Sequence, residues 1–98
     1  YDNAEVFGNA IVSGEAEVRG KAKVFGNAKV GDEALVYGNA RVYDKAQILD
    51  DADVYGDAKV HGKAAVFGNA LVRGNARVCG NASVCGDTVI DGDVALAW

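Results

Sequence analysis

The chain has 98 residues, half of them hydrophobic, with a formal net charge of −4 and a pI near 4.8. That length fits one domain, and the acidic balance argues against a molecule that captures nucleic acid or anionic membrane through its overall charge. Polar residues interrupt every apolar stretch, so no segment approaches the length of a membrane span; much of the hydrophobic content is Ala and Val, which predicts a narrow interior of small side chains.

The elements follow from one repeat, which starts at Ala4-Glu5-Val6-Phe7-Gly8-Asn9. Alanine recurs at every sixth residue through Ala82, and two residues after each stands a branched aliphatic. Ala and Val two apart share one face of a β-strand, with the residue between them on the other face. The spacing therefore predicts three-residue strands Ala-x-Val, the first at Ala4, Glu5 and Val6. The next two positions are Gly, in twelve of fifteen units, and then Asn, Asp, Glu or Lys. This is turn chemistry, because Gly takes positive φ without strain and Asn or Asp tolerates it. The aliphatic register holds at all sixteen sites from Val6 to Leu96. Near the end the alanine is lost, with Thr88 and Val94 in its place, and Leu96 and Trp98 add bulk that predicts a plug or an interface.

A three-residue strand followed by a turn cannot bury its apolar face alone, whereas stacked coils can. Three units per coil make a triangular prism whose vertical neighbours are eighteen residues apart, about five and a half coils and roughly 25 Å tall. The absence of Pro fits strands whose N–H groups are all needed.

The repeat resembles the hexapeptide repeat of left-handed parallel β-helix proteins over essentially the whole chain, with an aliphatic followed four positions later by a small residue, as in Val6 and Ala10 or Val12 and Ala16. The resemblance implies an all-β, left-handed parallel β-helix: a triangular solenoid of about five coils, eighteen residues each. The family often has a small or acidic residue directly after the aliphatic, whereas Phe, Tyr or Arg is frequent here, which predicts a different turn. The regular register is more similar to uncharacterised repeat members than to the acyltransferase enzymes. Residues 1–98 are read as a single β-helix domain, and the absence of an initiating Met gives the expectation of a processed product or a module of a longer chain.

The eighteen-residue spacing sorts the exterior into files. On the first side the strand centres are Glu5, Lys23, Arg41, Lys59 and Arg77, either an anion-binding stripe or a solvated face. The third side carries Glu17, Leu35, Asp53, Leu71 and Val89, where Leu35, Leu71 and Val89, together with Trp98 at the end, are the expected interface residues. The corner between the second and third sides collects Glu15, Asp32, Glu33, Asp50 and Asp51 as candidate ligands for a hard cation, against the plainer reading that Asp substitutes for Gly in the turn. Beside the valines, Phe7, Phe25, Tyr43, His61 and Cys79 form one file; Tyr1, Arg19, Tyr37, Tyr55, Arg73 and Asp91 form another. Both read as external stapling by stacking and cation–π contact, against the alternative of a carbohydrate or nucleobase platform.

Catalysis has one candidate, His61, the only histidine. A general base needs an orienting partner and a wall against water; no inserted loop supplies the wall, and His61 reads better as a stacked neighbour of Tyr43. Cys79 and Cys85 lie at successive corners, too far apart for a bridge, which predicts reduced thiols and a cytoplasmic setting. The functional expectation is a non-enzymatic scaffold or interaction module that forms homo-oligomers through a flat side or an end. No cofactor, nucleic acid or membrane is expected as a partner. The alternative is an acyltransferase-type repeat domain without its catalytic loop and C-terminal part.

Overall fold

The computed structural model describes residues 4–92 and the backbone of residues 95–97, so Tyr1 and Trp98 lie outside the described residues. Among the described residues all regular structure is β, in three parallel sheets. The first sheet is built from Glu5–Val6, Lys23–Val24, Arg41–Val42, Lys59–Val60, Arg77–Cys79 and Ala95–Ala97. The second runs from Ile11–Val12 through Lys29–Val30, Gln47–Ile48 and Ala65–Val66 to Ser83–Val84. The third runs from Glu17–Val18 through Leu35–Val36, Asp53–Val54 and Leu71–Val72 to Val89–Ile90. Every pairing joins residues eighteen apart, such as Val24↔Val42 or Leu35↔Asp53. The chain thus winds as a solenoid of about five coils, with extents of 27 × 20 × 19 Å, matching the height expected from strand spacing.

Most strands contain two residues rather than the three expected, with Ala left just outside. The reason lies in the hydrogen bonding. The N–H of Ala10 donates to the carbonyl of Phe7 at 3.4 Å, and Ala16 and Ala22 bond in the same way to Ser13 and Arg19 at 3.2 and 3.3 Å. The alanine N–H therefore closes the turn instead of joining the ladder. In the Phe7–Ala10 turn the first central residue, Gly8, has φ 68°, while Asn9 does not share the positive φ. Positive φ at the first central position alone is the mark of a type II′ turn.

The shaft is lined by the repeat alanines and aliphatics. From Ala22 to Ala82 each of these side chains is fully buried, and no polar or charged side chain is buried among the described residues. Alanine fills the axis where a larger residue would overpack, and valine meets valine at ladder spacing. The regularity leaves the exterior as the place where the units differ.

Candidate functional site

The acidic corner is a shallow, open depression of about 720 Å³ lined by Gly14, Glu15, Asp32, Glu33, Asp50, Asp51, Gly68 and Asn69. Its five carboxylates play two different parts. Asp32 and Asp50 occupy the glycine position of the turn with φ of 57° and 61°. The Asp32 carboxylate accepts the backbone N–H of Asp50 at 3.3 Å, and the Asp50 carboxylate accepts that of Gly68 at 3.1 Å. Asp44, in another corner, does the same for Gly62 at 3.2 Å. These aspartates are turn residues that bond the backbone N–H of the turn one coil further on.

The remaining three, Glu15, Glu33 and Asp51, form a vertical file. Glu33 in the middle has its pKa raised by hydrogen bonding to and repulsion from Asp51, then by the same effects from Glu15. Like charges at ladder spacing disfavour ionisation of the central group. Among the described residues, no group of three or more His, Cys, Asp or Glu side chains is arranged to hold a metal ion.

His61 lies where the file predicts it. Its ring stacks on Tyr43 with centroids 4.8 Å apart and planes within 8°. The ladder continues through Tyr43–Phe25 and Phe25–Phe7, both at 5.0 Å. No hydrogen bond joins the His61 ring to a carboxylate among the described residues. Cys79, next in the same file, is half-buried, and both it and exposed Cys85 are free thiols. On the neighbouring file the Arg19 guanidinium sits 5.1 Å over the Tyr37 ring, Tyr37 stacks on Tyr55 at 4.8 Å, and Arg73 bonds both the Tyr55 hydroxyl at 3.1 Å and Asp91 at 3.0 Å.

The third face brings Leu35, Leu71 and Val89 into one ladder, but not as a continuous apolar strip. Asp53 stands between the two leucines, in register with both. Burial raises its pKa first and Asp51 second, with Arg19 pulling the other way. Leu35 and Leu71 are half-buried, and Val89 is 49% exposed. Trp98, the fourth expected interface residue, is outside the described residues.

The first face carries the cations. Lys23, Arg41, Lys59 and Arg77 are partners in register along one ladder. The two ion pairs among the described residues, Arg19–Glu17 and Arg73–Asp91, both lie elsewhere.

Sequence reasoning did not single out the side-chain ladders in the turns, where Asn9 donates to Asn27, Asn39 to Asp57 and Asn69 to Asp87 at 3.2–3.3 Å. Their signal was present, since each pair is eighteen residues apart.

Among the described residues, no helix is long and apolar enough to cross a membrane. No curated protein and no solved structure matches the chain. A family model described as the YdcK beta solenoid repeat matches residues 34–49, less than one coil, and over that stretch the chain is similar to that repeat.

Proposed function

We propose that the chain is a non-enzymatic structural module, a rigid β-solenoid of hexapeptide-repeat type that self-associates through its third face or an end, in a reducing compartment such as the cytoplasm. The observation that carries this reading is the unbroken ladder. Three sheets keep one eighteen-residue register through a shaft with no buried polar side chain among the described residues. Such a stack transmits shape over its length, because each coil is held by the coils beside it. Among the described residues each sheet has edge strands, and the first-coil edge carries a shaft residue that is not covered. Val6 occupies the same shaft position as Val24, yet it is 45% exposed while Val24 is fully buried. Edge strands with exposed core residues are templates for further pairing.

Light scattering across a concentration series tests the reading. The expected result is an oligomer that Leu71→Lys, on the third face, converts to monomer if that face is the contact, and leaves intact if an end is. A strict monomer at all concentrations defeats the self-association part. The acyltransferase-type alternative makes a separate prediction, a clear rise in melting temperature with acetyl-CoA; the scaffold reading expects none.

A further inference from the structure

We propose that the first face binds an extended acidic polysaccharide, with one anionic group per sugar, laid along the stack over Lys23, Arg41, Lys59 and Arg77. The proposal stands independently of self-association.

The arrangement of these cations is the starting observation. Their pairing in register places each directly beside the next, and like charges directly opposite destabilise a sheet. The chain has fourteen Asp and Glu residues to alternate with them. Yet none of the four cations makes an ion pair with a described residue. The flanking turns extend the field, with Lys21 on one side and Lys45 and Lys63 on the other. Seven of the chain's ten Lys and Arg residues thus surround one face, and none of the seven has an ion-pair partner among the described residues. By contrast, the carboxylate file Glu15, Glu33 and Asp51 stands at the corner opposite this face. A groove of about 320 Å³ opens among Lys21, Lys23, Asn39 and Arg41. Three of its four lining residues are cationic and the fourth is the Asn39 amide, which donates to Asp57, so the lining suits an anionic group.

Pitch and shape select the ligand class. Cations recur every coil, at ~4.8 Å, so an extended polymer with regularly repeated anionic groups can meet several of them at once. Duplex nucleic acid advances about 3.4 Å of helix axis per phosphate on each strand, and its strands wind about that axis instead of running straight along the file. Single-stranded nucleic acid is held largely by bases stacking on aromatic faces. Here Phe7, Phe25, Tyr43 and His61 stack on one another, so the faces between them are covered within the ladder. An exposed ion pair contributes little by itself, and a net charge of −4 gives no long-range attraction. Binding therefore depends on several contacts made together by one polymer.

The test uses fluorescently labelled polygalacturonate at low ionic strength, with free galacturonate, neutral dextran and single-stranded poly-dT as comparisons. Polygalacturonate is expected to bind and to be released by added salt, while free galacturonate and dextran do not bind. The double variant Arg41→Gln/Lys59→Gln should lose at least about tenfold in affinity, with unchanged circular dichroism. Lys29→Gln, on the second face, should leave affinity unaltered. The proposal is overturned if polygalacturonate fails to bind at low ionic strength, if the double variant binds as the wild type does, or if poly-dT binds more tightly than the polyuronate.

Discussion

Asp44 and Gly62 hold the same turn position one coil apart, and both adopt positive φ, 60° and 70°. Glycine meets the requirement by lacking a Cβ; Asp tolerates it and adds a bond from its carboxylate to the next coil's N–H. At Gly62 the close approach of the next coil adds to the φ requirement. A Cβ on Gly62 would lie 2.8 Å from the Gly80 nitrogen, whereas one on Gly86 would meet nothing within 4 Å. Gly62→Ala should therefore destabilise the fold by roughly 2–3 kcal/mol and Gly86→Ala by only about 1 kcal/mol. Urea unfolding of the two variants checks this, and equal losses would mean that the approach of neighbouring coils does not matter. Glu33 gives a pH test at the same scale. Its pKa is raised in the fold above the ordinary 4.5, so the folded state holds the proton longer than the unfolded state. The associated stability is full below the ordinary value and is lost as pH rises through the raised one. Glu33→Gln should raise the melting temperature at neutral pH and change it little in acid, below the ordinary carboxylate range. A variant equally shifted at both pH values would rule out relief of repulsion as the cause.

Strands of two residues are too short to persist alone, so each depends on what its neighbours above and below supply. Inside, that is a ladder of Ala and Val; outside, it is the aromatic file. Phe25 stacks on both Phe7 and Tyr43, while Phe7 stacks within the described residues on Phe25. Good aromatic pairs contribute about 0.5–1.5 kcal/mol each beyond burial. Phe25→Ala should thus cost about 1–3 kcal/mol, near twice the loss for Phe7→Ala. Thermal unfolding of the two single variants and the double variant measures it. Additive losses would show that the rings act independently, against the ladder account. The turn is the other half of each element. With the alanine N–H closing it, the turn takes one donor from the sheet, and this shortens the strand.

At the scale of the whole molecule, stability in a solenoid sums over neighbouring coils. Among the described residues, Glu5–Val6, Ile11–Val12 and Glu17–Val18 are the edge strands of their sheets. The shaft shows the consequence in the contrast between exposed Val6 and buried Val24. Hydrogen exchange should be fastest at the ends and slowest in the middle coils, around Val42 to Val60. Uniform exchange through a single global opening would contradict this picture. If copies associate end to end, protection in the first coil should rise with protein concentration while protection in the centre stays constant.

The sequence by itself determined the coil. Inward and outward positions alternate by local geometry, and the same small residues return every six positions, so strand location, the eighteen-residue register, the dry shaft and the exterior files follow from the repeat. His61 on Tyr43 and Arg19 on Tyr37 were legible for the same reason. The tertiary structure alone decided what the exterior side chains do once filed. It directed the Asp32 and Asp50 carboxylates to backbone N–H groups instead of the open corner, and left Glu15, Glu33 and Asp51 as the crowded file. It also gave the alanine N–H to the turn, shortening the strands. Burial periodicity is local and identical in every unit. A surface polar group, by contrast, chooses among partners brought near only by winding, and that choice depends on which backbone donors the finished ladder leaves unpaired.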